Sequence, residues 1–199
     1  MSPSRTTLPR TLALALSGLL AAPALAQSPP ADGAPRQYFD RKAGAMTALT
    51  TWGGANVLAG GLGALASEDE RLRQFHLMNA GWGAVNAALG LLGRRSARRD
   101  AAADPDREGA YGDLRRTEKV LLFNAGLDLG YVAAGAYLLE RSRRPGAETR
   151  DRDRGWGQSI LLQGAALFAF DLLAYRYLHR AERRLRVGPG ASLGYRIGE

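Results

Sequence analysis

Residues 155–175 read GWGQSILLQGAALFAFDLLAY, an apolar run of helical length with a single carboxylate, Asp171, set inside it. About 20 residues at about 1.5 Å rise each span the hydrocarbon core of a bilayer. Three runs of similar length and composition precede it. Residues 43–66 and 75–93 contain no Asp, Glu, Lys or Arg, and 120–139 contain only Asp128. The charges crowd into the connections instead, SEDERLRQ at 67–74, residues 94–119, and ERSRRPGAETRDRDR at 140–154. A soluble amphipathic helix keeps a charged face along its whole length, so this unevenness points to transmembrane helices. The expected fold is all-α, a four-helix transmembrane bundle over residues 37–185.

With 199 residues the chain has room for one domain. It has no cysteine, which removes disulfides, thiolate metal sites and cysteine nucleophiles. The net charge is +8, but the arginines flank apolar runs and no aromatic-interleaved basic face accompanies them. That pattern fits headgroup contact rather than nucleic acid.

Residues 1–26 carry Arg5 and Arg10, then an apolar core, then Ala24-Leu25-Ala26. This reads as a cleaved secretory signal peptide. Residues 27–36 are Pro/Gly-rich and read as a disordered leader, and 186–199 as a flexible tail.

The helical runs are rich in glycine, among them Gly53, Gly54, Gly60, Gly61, Gly81, Gly83, Gly90, Gly126, Gly130 and Gly135. In lipid, small residues let helix backbones approach closely. A faint repeat accompanies them. Trp52-Gly53-Gly54-Ala55-Asn56 with Gly60 parallels Trp82-Gly83-Ala84-Val85-Asn86 with Gly90.

Polar residues inside such runs are few and attract attention. Side A is the side of the mature N-terminus and side B the opposite one. Counting depth along each helix places Asn56 near the middle, with Asn86, Asp128 and Asp171 slightly toward side A. These four form a candidate buried polar layer, and Asn79 with Gln163 a second polar pair toward side B. One reading is structural glue between helices. The other is a proton or ion site on Asp128 and Asp171, which at close range share a proton; Tyr131, Tyr175 and Arg176 are candidate partners for it. His76 opens the second run on side B and His179 closes the fourth on side A, so they do not share a metal. No metal or other cofactor is expected. No H-E-x-x-H, G-x-S-x-G or Walker-type loop occurs, so no catalytic constellation is predicted.

Gly155-Trp156-Gly157, Gln163-Gly164 and Phe170-Asp171 in the fourth run, Met78-Asn79 with Trp82 and Asn86, and Asn124 with Asp128 and Tyr131 resemble the recurring positions of an uncharacterised family of small bacterial four-helix membrane proteins. The resemblance covers about residues 37–180. That family is a domain of unknown function, so the resemblance implies architecture and no activity.

Two topology rules point in opposite directions. A cleaved signal places side A outside the cytoplasm, in the bacterial inner membrane. The arginine bias places it inside, since side A carries three, eight and five Lys/Arg in its segments, 16 in all, against two and six, 8 in all, on side B. The expected function is a non-enzymatic structural or partner-binding bundle. Its expected partners are the lipid bilayer and, through the glycine-rich faces, another protein or a second copy of the chain. A small transporter or ion/proton-coupled subunit using Asp128 and Asp171 is the first alternative, and a periplasmic or membrane-surface helical bundle the second.

Overall fold

The computed structural model describes residues 33–146 and 148–186, and these are helical with short turns between. Helices α1 (Ala34–Ala66), α2 (Glu70–Ala102), α3 (Arg107–Arg141) and α4 (Arg150–His179) are long, and α5 (Glu182–Arg186) is a single short turn. The expected signal peptide (residues 1–26), residues 27–32 of the expected leader and the tail from 187 lie outside the described residues.

The helices begin where local chemistry favours it. Asp69 caps α2 by accepting from the Leu72 backbone N–H at 2.8 Å, and Asp106 caps α3 through Gly109 at 2.6 Å. Glu70 and Glu108 sit in first turns, Arg99 and Arg141 in last turns, each matched to the helix dipole. Two boundaries differ from the sequence expectation. Helix α1 starts at Ala34, with Pro35 in its first turn, rather than near residue 37. The hydrophilic stretch 94–119 is mostly helix, because α2 runs on to Ala102 and α3 begins at Arg107. Its arginines are good helix formers, and Ala97, Ala101, Ala110, Leu114 and Glu118 continue a buried face at helical spacing. The remaining turn holds Asp104 at φ 51°, a conformation Asp tolerates better than most residues.

The chain folds as two antiparallel hairpins, α1–α2 and α3–α4, joined along the parallel pair α2 and α4. Each hairpin contains a glycine pair at close approach, near mid-helix in the first and near the turn in the second. A Cβ on Gly53 would stand 2.6 Å from the Gly83 carbonyl oxygen, and one on Gly83 would stand 2.6 Å from that of Gly53. Gly135 and Gly157 face each other in the same reciprocal way, at 2.9 and 2.8 Å. Only glycine permits so close an approach of backbones. Around the first pair the contacts repeat by a local two-fold: Gly60 meets His76 and Ala80, and Gly90 meets Met46 and Thr50. These positions correspond under the Trp52/Trp82 sequence repeat, so that repeat has a geometric counterpart.

The interior changes character along the bundle. Toward side A it is an apolar core that includes Tyr38, Phe39, Ala101, Ala110, Leu114, Leu178, Ala181 and Leu185. Toward side B the buried positions are mostly glycines and polar groups, among them Asn79, Gln163, Ser159 and Asp153, and large apolar side chains face outward. Leu58 and Leu62 are each 67% exposed and Leu65 is 88% exposed. By length and composition two helical segments, Arg107–Arg141 and Arg150–Arg186, are apolar enough to cross a membrane. The first buries only 22% of its apolar window, where a soluble core helix would bury most of it. Helices α1 and α2 fall short of that hydropathy, their glycines and Asn56, His76, Asn79 and Asn86 lowering it.

Candidate functional site

At the centre of the bundle Gln163 is 1% exposed and fully paired. Its Nε2 donates to Asn56 Oδ1 and to Asn79 Oδ1, both at 2.7 Å, and its Oε1 accepts from Trp52 Nε1 at 3.1 Å. Each asparagine in turn donates to the carbonyl one turn back on its own helix. Asn56 bonds to Trp52 O at 2.8 Å and Asn79 to Phe75 O at 3.0 Å. Gln163 thus uses both of its N–H groups and its carbonyl oxygen, and the three amides tie α1, α2 and α4 together. Asn56 belongs here, not in a layer with the aspartates. Counting rise along a helix gives depth but not the direction a side chain points, and Asn56 points at Gln163.

Asp128 and Asp171 are brought together across α3 and α4. Both are buried, at 3% and 6% exposure, and their carboxyl groups lie within hydrogen-bond reach of each other. Asp128 Oδ2, Asn86 Nδ2 and Ser159 Oγ have no hydrogen-bond partner among the described residues. Asn86 is 3% exposed and sits between Gly83 and Gly90, two of the α2 glycines packed on α1. The expected helpers are placed elsewhere. Tyr131 packs edge-on against Trp82 at 4.9 Å, Tyr175 stacks on His179 at 5.5 Å, and Arg176 is exposed.

Polar networks close both ends. On side A, Tyr38 is fully buried and donates to Asp113 Oδ2 at 2.7 Å, which also pairs with Lys42 at 2.6 Å. Burial, with the neighbouring Asp113 and Glu118 charges adding to it, pushes the Tyr38 hydroxyl far above its ordinary range. Glu118, 3% exposed, accepts from Arg115 at 2.9 Å and lies 2.7 Å from His179 Nδ1. His179 Nε2 reaches Glu182 at 3.3 Å. On side B, Asp153 is fully buried under the α3–α4 turn, bonded by Arg141 at 2.7 and 2.6 Å and by Thr149 at 2.7 Å. The hydrogen bonds from Arg141 hold its carboxyl below the usual range despite burial. Trp156 donates to Gln74 at 2.8 Å, under the Arg152 guanidinium. His76 lies at this end, against Gly63, at the opposite end of the bundle from His179.

Three participants had not been singled out from the sequence. Trp52 stands one turn before Asn56, so its indole shares the amide's face; that i, i+4 spacing was the available signal. Glu118 lies on the stripe 114, 118, 121, 125, 128, which leads directly to Asp128. Ser159 stands one turn before Gln163 but carries no sequence signal of its own.

The family of unknown function DUF6992 matches residues 48–172, a span that includes every amide and carboxyl group of the two central clusters. The chain belongs to that family. No curated protein and no solved structure matches it.

Proposed function

We propose that this member of the DUF6992 family is an integral membrane protein, a non-enzymatic helical bundle that serves as a structural or partner-binding module. The observation that carries the reading is the change of interior along the axis. Toward side A the bundle is apolar within and charged without, as in water. Toward side B it hides amides and glycines and turns leucines outward. A bilayer is the surrounding that makes the second arrangement favourable, since polar groups must then pair inside. The apolar stretches, about 20 residues or about 30 Å each, suit a hydrocarbon core of about 30 Å. In this reading residues 1–26 export the chain to the bacterial inner membrane, and side A forms a collar in water.

Carbonate extraction with single cysteines tests it. Ala102→Cys and Glu148→Cys sit at opposite ends of this cysteine-free chain. A carbonate-resistant protein labelled from one side at one position only fits the proposal. Release by carbonate, or equal labelling of both, would leave the periplasmic or surface bundle in its place.

A second reading, a proton- or ion-coupled subunit, is favoured by one observation. Asp128 Oδ2 is buried and without a partner, whereas structural glue uses its bonds, as Gln163 does.

A further inference from the structure

We propose that Arg41, Arg94, Arg95, Arg116, Lys119 and Arg176 form a ring that seats the phosphate headgroups of an anionic lipid leaflet on side A. This rests on the membrane reading and deepens it, naming the lipid class and the side that recognises it.

Packing contacts set the level of each cation. Gly93 of α2 lies against Met46 of α1, so the next turn outward carries Arg94 and Arg95 on α2 and Arg41 on α1. The Arg41 guanidinium in turn lies 5.6 Å over the ring of Tyr177 on α4, the residue after Arg176. Glu118 of α3 meets His179 of α4 at 2.7 Å, which brings Arg116 and Lys119 to the same end of the bundle. All four long helices therefore contribute, within about two helical turns of axis.

The outer surface changes character at this level. Leu92 on α2, Val120 and Phe123 on α3, and Leu173 on α4 are exposed, each within about one turn of a ring cation. Arg95, Arg116, Lys119 and Arg176 are exposed themselves, and Arg41 and Arg94 are half-buried. Long basic side chains at such a boundary lay their stems on apolar surface and carry their charge out to the headgroups.

The ring is also uncompensated. Among the described residues none of these cations has an ion pair, because the carboxylates of this end are engaged elsewhere. Asp113 is taken by Lys42 and Tyr38, Glu118 by Arg115 and His179, and Glu182 by His179 and Arg186. Asp100 accepts from Ser96, and Asp40 is exposed on the turn outside the ring. Side B is built differently. There Arg71 pairs with Asp69, Arg73 with Glu70, Arg144 with Glu140, and Arg141 and Arg152 with Asp153. Seven Asp/Glu stand against the 8 Lys/Arg of side B, and nine against the 16 of side A. Side B is thus nearly neutral by itself, whereas the side-A ring needs negative charge from outside. A zwitterionic headgroup brings an ammonium along with its phosphate. An anionic one brings net negative charge, and guanidinium groups bind its phosphate oxygens in pairs.

The test uses the full chain in liposomes of equal phosphatidylcholine and phosphatidylglycerol, extracted in mild detergent, with the retained lipid measured by mass spectrometry. The retained lipid is expected to be enriched in phosphatidylglycerol, each ring cation contributing a preference of roughly fivefold or less. Arg95→Gln, Arg116→Gln, Lys119→Gln and Arg176→Gln together should return the ratio to that of the bulk. The same four positions changed to the other basic residue should keep the enrichment, as should Arg143→Gln, Arg150→Gln and Arg154→Gln together on side B. Millimolar inorganic phosphate at fixed ionic strength is expected to leave the enrichment unchanged. No enrichment with the unmodified chain, or equal loss in the side-A and side-B variants, would overturn the ring while leaving the membrane reading intact. Displacement of the lipid by inorganic phosphate would overturn it in favour of a free-anion site. Failure of the chain to enter either lipid would overturn the membrane reading and the ring with it.

Discussion

Replacing Gln163 with leucine is the most informative single change to the fold. It keeps the approximate volume of the side chain and removes three hydrogen bonds at once, stranding Trp52 Nε1, Asn56 Oδ1 and Asn79 Oδ1. A cross-helix bond in a membrane bundle contributes about 0.6 kcal/mol on average and up to about 1.7 kcal/mol. Three of them give a loss of about 2–5 kcal/mol. Mixed-micelle unfolding with SDS, followed by tryptophan fluorescence, measures it, and Trp52 also reports directly on its lost partner. Non-additivity is the sharper test. Asn56→Leu in the Gln163→Leu background should be milder than in the unmodified protein, because its partner has already gone. A Gln163→Leu protein within about 0.5 kcal/mol of the original, or strictly additive double variants, would refute the cluster as the tie between the hairpins.

Glycine positions divide by their surroundings. Gly53→Val, whose Cβ meets the α2 backbone, should prevent the α1–α2 hairpin from closing, while Gly126→Val, with nothing within 4 Å, should unfold at nearly the same SDS fraction as the original. Leu58→Arg tests the outward apolar face. In the bilayer it should oppose insertion by about 2.5–3.5 kcal/mol and lower the membrane-integrated fraction, whereas on a water-facing surface it would be neutral. Asp153 sets an acid limb. Its carboxyl lies below the ordinary value when folded, so its contribution is complete above about pH 4 and is lost as pH falls through the lower folded value. Detergent-solubilised protein should therefore lose stability below about pH 4, and Asp153→Asn should flatten that limb in a melting series.

The long apolar runs made the helices legible, since charge-free stretches of helical length leave little choice of structure. The extensions beyond them were harder to read. Residues 94–102 and 107–119 look like a hydrophilic loop because their charged residues outnumber the buried ones, yet Ala97, Ala101, Ala110 and Leu114 are spaced to cover a core. Polar residues within the runs could be picked out by type, but their grouping could not. Asn56 and Asn86 occupy matching places in the repeat, and one joins Gln163 while the other has an unpartnered Nδ2. Rotation of each helix about its axis decides that, and the glycine contacts set the rotation. Glu118 and His179 are 61 residues apart, a pairing that only the α3–α4 register creates.

The Gln163 cluster also dictates an order of assembly. Gln163 enters the chain 107 residues after Asn56 and 84 after Asn79. The first hairpin must therefore exist for a time without it. Each asparagine already commits one N–H to its own helix one turn back, so what Gln163 later meets in the half-built bundle is two acceptor oxygens and an indole N–H. An early hairpin of this kind is tolerable in lipid but incomplete. Arrival of α4 then acts as a latch, and a chain truncated before residue 163 should remain open to quality-control proteolysis, however well its glycines pack.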